Sequence, residues 1–556
     1  MPSFPIAILG LFLAQTTQPA APLAIRPALG ELVIVDAYVT DRKGRPIADL
    51  RQEDFVLFED DRLKEISAFS APSTTTANEP DREVARARAG DEPPRDLPTL
   101  VIYADRRLLS PSGRKRGLDQ AAGLAESHIA RGARVVVLAD EGGLQALTPL
   151  TMDVGAVRAA VTRIQGWITV SPSASDARTA LDTVKTIIEG NEVAGCDCVC
   201  SLQQTVQVMR GYAMNRDIEA REAADRLTLV VNSLVGLPGR KALVYVSEGL
   251  EERPGIQLFD QLGKICPEAL RRDASTIFAA MQEMETWTIL REVTVRANAA
   301  RVTLYPIDAR GLRTFSAADP SYGDRAYTPS AGNDLIRDVN LKAPLQRLGE
   351  DTGGFALVNG LDPETAMKRF DADARGHYVL AFVPGEADGR AHTLRVRLTD
   401  KVQAKRNADL RHRQAYLRAE LPARRGQRAL SALLFGLEEN TLGVAVDLRR
   451  LDAATVRLKL SLPISALRPA PGAEADEARV HIVIALRPTQ GERPTALVRE
   501  KEATFDLTEG AEGGERREIV VDVPVGPGGY ELAIGLEDAG SGSASYLRRS
   551  LEAERE

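Results

Sequence analysis

The stretch Leu97-Pro98-Thr99-Leu100-Val101-Ile102-Tyr103-Ala104-Asp105 decides the fold of this chain. Its apolar residues follow one another without polar alternation, which is typical of a strand buried on both faces in a parallel sheet. Similar strands are predicted at 134–139, 241–247 and 302–307. Because helical stretches separate these strands, the sequence predicts a doubly wound α/β domain with a mostly parallel sheet.

The segments around these strands complete the predicted domain. Residues 142–150 are predicted to form an antiparallel neighbour of the strand at 134–139, and further strands are predicted at 355–358, 377–383 and 392–398. Helical spacing of apolar residues, as in Val154, Val157, Val161 and Ile164, indicates amphipathic helices. Helices are predicted at 114–130, 153–164, 177–188, 215–235, 341–351 and 363–374.

Two β regions flank this domain in the sequence. Residues 31–70 are predicted to form a small β module, with a turn at 41–46 and a hairpin around Asp60 and Asp61. Residues 71–96 contain almost no large apolar side chains and are predicted to be a linker. Residues 427–556 contain short alternating runs, of which 456–462 is the clearest, and predict a β-sandwich of immunoglobulin-like class. Its strands are expected at 442–448, 456–462, 480–486, 519–525 and 530–536.

The length and charge of the chain limit its class. A chain of 556 residues is too long for one core, so two to four domains are expected. The 71 Lys and Arg residues are mixed with 78 Asp and Glu residues, and the formal net charge is -7. This balance argues against a nucleic-acid-binding protein.

The N-terminus predicts export. The apolar run Ala7–Ala14 is followed by polar and then small residues, which is typical of a signal peptide, assigned here to residues 1–24. No Lys or Arg precedes the run, so an N-terminal helix of the mature fold is the alternative. The run is too short to span a bilayer, and no later segment is predicted to span one. We therefore expect a secreted or periplasmic protein.

The cysteines also favour an exported protein. An even number of cysteines in an exported protein favours disulfides, and a loop staple involving Cys266 is expected. A metal site and free thiols are the alternatives, although no histidine lies near the cluster in sequence. The four cysteines are Cys196, Cys198, Cys200 and Cys266.

Four segments together resemble the bacterial VWFA-related domain proteins, an exported family with a von Willebrand factor A-like domain. The segments fall in the family's order and cover roughly residues 30 to 418. They are 39–46 with 53–55, 237–249, 304–312 and 350–354. The resemblance assigns residues 97–418 to an A-like domain with insertions, and the predicted sandwich lies outside it.

The resemblance also implies a site at the carboxyl edge of the sheet. A-type domains that bind through metal hold Mg²⁺ with an Asp-x-Ser-x-Ser motif after the first strand, and with a Thr and an Asp from later loops. Here Asp105 is present, but Arg107 and Leu109 replace the two serines and Glu248 replaces the later Asp. The Thr loop is left open between Thr169, Ser171, Ser173 and Ser175.

We therefore expect a degenerate site with no cofactor, with Mg²⁺ or Ca²⁺ as the lesser alternative. An arginine beside Asp105 can neutralise its carboxylate without metal. Alternatively, Asp105 only caps the turn that follows the strand. Ser110 and Ser112 are further hydroxyls near this position.

The sequence favours a binding protein over an enzyme. It contains neither a His-Glu-x-x-His zinc motif nor a Gly-x-Ser-x-Gly nucleophile elbow. We expect a protein partner, outside the cytoplasm, at the carboxyl edge of the sheet. The expected binding residues are Asp105, Arg106, Arg107, Ser110 and Glu248, near the cysteine-containing insertion. The alternatives are a metal-dependent adhesion or sensor protein, an unrecognised hydrolase in the same crevice, and an envelope scaffold.

Overall fold

The computed structural model of the protein has a mixed α/β architecture, with one mostly parallel sheet and several antiparallel sheets. It describes residues 32–72, 99–140, 143–167, 173–193, 195, 198–237, 239–268, 271, 275, 279, 285–311, 331–358, 363–385, 388–417, 421–452, 454–470, 477–489, 496–507 and 515–552.

The elements are numbered in chain order. The strands are β1 (Val33–Thr40), β2 (Phe55–Glu59), β3 (Arg62–Lys64), β4 (Ala68–Ser70), β5 (Thr99–Ala104), β6 (Arg134–Asp140), β7 (Leu144–Ala146), β8 (Lys241–Ser247), β9 (Val302–Asp308), β10 (Tyr378–Phe382), β11 (Ala391–Leu398), β12 (Asp409–His412), β13 (Ala415–Leu417), β14 (Glu439–Asn440), β15 (Ala445–Asp452), β16 (Thr455–Pro463), β17 (Glu477–Pro488), β18 (Leu497–Asp506), β19 (Arg516–Pro524), β20 (Tyr530–Asp538) and β21 (Ala544–Leu551). The α-helices are α1 (Pro111–Ile129), α2 (Val154–Gln165), α3 (Ser173–Val193), α4 (Leu202–Ser233), α5 (Ile256–Ile265), α6 (Trp287–Ala299), α7 (Ala331–Asp351), α8 (Pro363–Arg375), α9 (Asp400–Arg406) and α10 (Leu421–Phe435).

The central sheet has the strand order β7-β6-β5-β8-β9. Strands β6, β5, β8 and β9 are parallel, and β7 pairs antiparallel with β6 as predicted. Alternate residues of β5 enter two hydrophobic clusters. Val101 and Tyr103 pack with α4 and α6, whereas Leu100 and Ile102 pack with α1 and α2. Both faces of the sheet are therefore buried, which explains the continuous apolar run in the sequence.

The strand predicted at 355–358 is reduced to a single parallel bridge between Leu357 and Ile307. Leu357 donates to the carbonyl of Pro306 at 2.7 Å and accepts from the backbone of Asp308 at 3.0 Å. The next ladder bond toward Phe355 would need an N–H at Pro306, which proline lacks. The pairing therefore stops after one residue.

The N-terminal strands pair with strands that follow the central sheet in the sequence. Strand β1 pairs with β10 and β12, and β2 pairs with β11 and β3, so the two sheets have the orders β12-β1-β10-β4 and β13-β11-β2-β3. They enclose one cluster that includes Val35, Leu57 and Tyr378. The division into a module at 31–70 and a domain at 97–418 thus separates strands that share sheets. The predicted linker lies outside the described residues except for residues 71 and 72.

The C-terminal region contains two antiparallel sheets, with the orders β14-β21-β20-β17-β18 and β15-β16-β19, around one core. The five predicted strands are present as β15, β16, β17, β19 and β20. Helix α10 was not expected, and the predicted start at 427 falls within it. It packs on the sandwich through Leu433 and on α4 through Leu430. The helix thus joins the sandwich to the α/β domain.

The predicted disulfide involving Cys266 is present, with Cys198 as its partner. It links the segment before α4 to the end of α5, and Cys266 is fully buried. Cys200 is also disulfide-bonded, and Cys196 lies outside the described residues. None of the helices in the described part of the chain is long and apolar enough to cross a membrane. The predicted signal peptide also lies outside the described residues.

Candidate functional site

Asp105 and Glu248 both lie at the carboxyl edge of the central sheet. They follow β5 and β8, which are neighbours, and the backbone N–H of Asp105 donates to Val246 at 3.1 Å. The N–H of Glu248 donates to the carbonyl of Leu108 at 2.9 Å. Strands β6 and β7 lie on one side of β5, and β8 and β9 lie on the other. The direction in which the chain adds strands to the sheet therefore reverses between β5 and β8. The two residues therefore flank the point at which ligands bind in doubly wound sheets.

The Asp105 carboxylate is held by an arginine. Its side chain is 1% exposed, and Nη2 of Arg226, from α4, lies 3.2 Å from Oδ1 and 3.3 Å from Oδ2. The hydroxyl of Tyr245 donates to Oδ2 at 3.3 Å, and the backbone N–H of Arg107 donates to Oδ1 at 3.3 Å. Burial raises the pKa of Asp105, and Arg226 opposes that rise. Asp105 thus both caps the turn and pairs with an arginine.

The arginine that pairs with Asp105 is not the one beside it in the sequence. Arg107 instead forms an ion pair with Glu222 of α4, and its side chain is 57% exposed. Arg226 also lies 3.5 Å from Glu222 and 3.9 Å from Asp140. The charges therefore alternate from the buried Asp105 through Arg226 and Glu222 to Arg107 at the surface.

A second polar group forms at the start of α1. The hydroxyl of Ser110 donates to Oε1 of Glu248 and accepts from the backbone N–H of Gly113 at 3.1 Å. A Cβ on Gly113 would lie 1.9 Å from Oε1 of Glu248, so glycine is required for this close approach. The carboxylate of Glu248 thereby lies near the positive end of the helix dipole, which stabilises it.

The five predicted residues share one edge but not one cluster. Arg106 faces away from Arg107, because its guanidinium carbon lies 5.7 Å from the ring centroid of Trp167, just beyond α2. Thr169 and Ser171, proposed for the Thr loop, lie outside the described residues. Ser173 and Ser175 lie in α3, where their side chains are not described.

A third charged group at this edge follows β9. Asp308 is buried and accepts from Nε and Nη2 of Arg310 at 2.9 and 2.8 Å. Arg310 also lies 3.4 Å from Asp338 of α7, which pairs with Lys342. Each carboxylate of this group therefore has a cationic partner within the protein.

Sequence reasoning missed Arg226, Glu222 and Tyr245. Glu222 and Arg226 are four residues apart on one helical face, the spacing of an ion pair within a helix. This spacing shows that the two residues lie on one face of the helix, but it does not show that this face is turned toward Asp105. Tyr245 lies within the apolar run of β8, where its hydroxyl gave no separate signal.

The metal implied by the resemblance does not fit these residues. Mg²⁺ requires hard oxygen ligands in an octahedron. The Asp105 carboxylate already accepts from a guanidinium, a hydroxyl and a backbone N–H, and Leu109 is fully buried in the core. Within the described parts of the chain, no three or more Asp, Glu, His or Cys side chains are grouped to hold a metal.

Comparison with known proteins adds no family. No protein-family model matches the chain, and no curated protein matches it. The functional proposal therefore depends on the geometry of the site and on the arrangement of the sheet.

Proposed function

We propose that this chain is an exported, non-catalytic binding protein whose A-like domain takes a protein partner at the carboxyl edge of the central sheet, without a shared metal ion. The observation that carries the proposal is the contact of Arg226 with Asp105 at 3.2 Å. A fixed guanidinium supplies the positive charge that a divalent ion supplies in metal-dependent A-type domains. The crevice can therefore be neutral and ordered before a partner arrives.

The charges left for a partner lie at the rim. Arg107 is 57% exposed and Glu222 is 47% exposed, so their ion pair is accessible to an incoming side chain. A guanidinium has five N–H donors, and Glu222 does not use them all. A partner carboxylate can thus bind to Arg107 directly.

Exposed apolar side chains precede Glu222 on α4. Met214 and Ile218 are 55% and 52% exposed, and they precede Glu222 on α4 at spacings of four residues. Residues four apart lie on the same helical face. Met and Arg are enriched at protein interfaces, and exposed apolar residues on the helical face that carries Glu222 fit a partner surface.

The strand order supports an A-like domain. Within the central sheet, the strands follow the order third, second, first, fourth and fifth along the chain, and the Leu357 bridge continues the sheet beyond β9. This is the order of doubly wound folds that bind ligands between the first and fourth strands. Asp105 and Glu248 follow those two strands.

The disulfides support export, because disulfides persist in oxidising compartments outside the cytoplasm. The Ser110–Glu248 contact does not favour a hydrolase over a binding protein. The same hydroxyl caps α1 by accepting from Gly113, which is a structural role.

Site-specific cross-linking tests the proposal. A photoreactive phenylalanine derivative is placed at position 107, and as a control at Arg62, an exposed residue of β3. Each protein is irradiated with the envelope and extracellular fractions of its host. We expect one partner to be cross-linked at position 107 but not at position 62. We also expect the yield to be unchanged by a chelator.

Charge reversal at position 107 provides a second test of the proposed surface. Arg107→Glu should abolish co-purification of the cross-linked partner, whereas Arg62→Glu should not. Equal capture by both variants would contradict the proposed surface. Loss of capture in the chelator would contradict binding without metal.

A further inference from the structure

A large cavity lies at the opposite end of the central sheet from the crevice. Its volume is about 930 Å³, and it lies between the start of β8, the end of α6, helix α10 and the C-terminal sandwich. Organic ligands occupy cavities of roughly 300–1,000 Å³. The space is therefore large enough for a small molecule.

The lining of the cavity is strongly basic. It contains six Lys or Arg side chains, and Glu537 is the one carboxylate among the described lining residues. The cations come from three separate parts of the chain. They are Lys241, Arg296, Arg301, Arg424, Arg425 and Arg428.

The acidic partners of these cations lie mostly outside the cavity. Arg425 pairs with Glu537 at 3.1 Å, within the lining. By contrast, Arg296 pairs with Glu292, Arg301 with Asp36, and Arg428 with Glu439 at 4.0 Å, and none of these three carboxylates lines the cavity.

Two of these basic side chains form no ion pair in the described part of the chain. The Nζ atom of Lys241 donates to the carbonyl of Leu237 at 3.0 Å, and Arg424 is exposed at the start of α10. Burial, with a smaller effect of Arg301, lowers the pKa of Lys241 to about 7, so the arginines supply most of the positive charge that faces the cavity.

The walls of the cavity are fixed to one another. On α10, the Ser431 hydroxyl donates to the carbonyl of Ser233 at 2.6 Å and accepts from the N–H of Gly236 at 2.9 Å. Gln427 donates to Asn232 at 3.0 Å. These contacts position the arginines of α10 opposite Lys241 and Arg301 before any ligand binds. Such preorganisation favours binding.

We propose that this cavity binds a small organic anion that carries two or more carboxylate or phosphate groups. Guanidinium groups bind both kinds of group through paired N–H donors. Val235, Leu237 and Ala300 supply an apolar wall for the carbon skeleton of the ligand. The site lies at the amino ends of the strands and is independent of the proposed partner surface.

Isothermal titration calorimetry of the full chain with citrate and with tripolyphosphate tests this proposal. We expect saturable binding of at least one probe. Binding of citrate alone indicates that the charged groups of the ligand are carboxylates, and binding of tripolyphosphate alone indicates that they are phosphates. The double variant Arg424→Gln with Arg428→Gln should weaken binding about tenfold or more, because charge-assisted hydrogen bonds are lost.

Two controls separate a site from general charge effects. Arg62→Gln removes an exposed charge from β3 and should leave binding unchanged. Because Arg428 also lies 4.8 Å from the ring of Tyr546, the single variant Arg424→Glu, at an exposed residue, repeats the test with less risk to folding. The proposal is overturned if neither probe binds, or if both cavity variants bind as tightly as Arg62→Gln.

Discussion

The buried contact between Asp105 and Arg226 makes the first prediction at the scale of single residues. Replacing Arg226 with Met leaves a carboxylate that is 1% exposed without its cation. Removing one partner of a buried ion pair costs about 3–5 kcal/mol of unfolding free energy. Denaturant unfolding of Arg226→Met should show a loss of that size.

A double variant and a surface control complete this test. Asp105→Asn combined with Arg226→Met removes both charges and should recover most of the loss. Arg221→Met, in the same helix, removes an exposed pair with Asp217 and should cost less than about 1 kcal/mol. If Arg226→Met costs no more than Arg221→Met, Arg226 does not neutralise the crevice.

The sequence specified this site only in part. Asp105 could be placed at the end of a strand, and the resemblance implied that Arg107 and Leu109 stand where A-type domains have serine ligands. The arginine that holds Asp105 could not be named, because Arg226 is 121 residues away. The packing of α4 on the sheet decides which of its arginines faces the crevice.

His128 predicts how stability depends on pH. Burial, with smaller effects of Arg240 and Arg131, lowers its pKa from 6.5 to about 4. As the pH falls from 6.5 toward 4, the unfolded chain binds a proton that the folded protein does not, so stability decreases. At pH 5 this group should cost about 2 kcal/mol relative to pH 7.5.

The variant His128→Leu checks this prediction. It lacks the titrating group, so its stability relative to the parent protein should be higher at pH 5 than at pH 7.5. Urea unfolding at the two pH values measures the difference, with pH 7.5 as the internal reference. An identical pH dependence in both proteins would show that His128 is protonated as easily in the fold as in the unfolded chain.

At the scale of elements, the docking of α10 depends on one close approach. A Cβ on Gly236 would lie 2.6 Å from Cβ of Ser431, which α10 places against the end of α4. Gly236→Ala should therefore displace α10 and cost about 1–3 kcal/mol. It should also weaken anion binding in the cavity, because α10 carries three of its arginines.

Gly211→Ala is the matched control for this element. Gly211 lies inside α4, and a Cβ added there would meet no neighbouring atom within 4 Å, so alanine should stabilise the helix by about 0.5–1 kcal/mol. Thermal unfolding of the two variants should change in opposite directions. If Gly236→Ala leaves the unfolding temperature unchanged, α10 is not held in place by the close approach at Gly236.

The elements were easier to predict than their exact pairing. The apolar runs of β5, β6, β8 and β9 correctly indicated a mostly parallel sheet. The segment at 355–358 has a strand-like composition, but Pro306 in the neighbouring strand cannot donate the next ladder bond. Helix α10 was missed because a β period was assigned from residue 427 onward, within the helix itself.

For the whole molecule, the alternation of apolar and polar residues in the sequence identifies strands but not the strands with which they pair. The strands at 378–382 and 391–398 were correctly predicted, but they were assigned to the same domain as the parallel sheet. They instead pair with β1 and β2, more than 300 residues earlier. Such pairing is decided by which apolar faces can be buried together, and here Val35, Leu57 and Tyr378 share one core.

The pairing of the N-terminal strands with strands more than 300 residues later makes a prediction about a cleaved chain. If a protease site is introduced between residues 85 and 86 and cleaved, the N-terminal fragment should stay bound. Strands β1 and β2 keep their backbone pairing with β10 and β11, and the side chains of the shared core remain buried. Both fragments should co-elute in size-exclusion chromatography under native conditions and separate in urea.

A pair of leucine variants shows whether the shared core holds the fragments together. Leu57 in β2 is fully buried, whereas Leu63 in β3 is 69% exposed. Leu57→Asp places an unpaired charge in the core, which is strongly unfavourable, so the cleaved fragment should dissociate. Leu63→Asp adds the same charge at the surface and should leave the fragments together. Dissociation of the cleaved parent protein would mean that covalent connection, rather than the shared sheets, keeps the N-terminal strands in place.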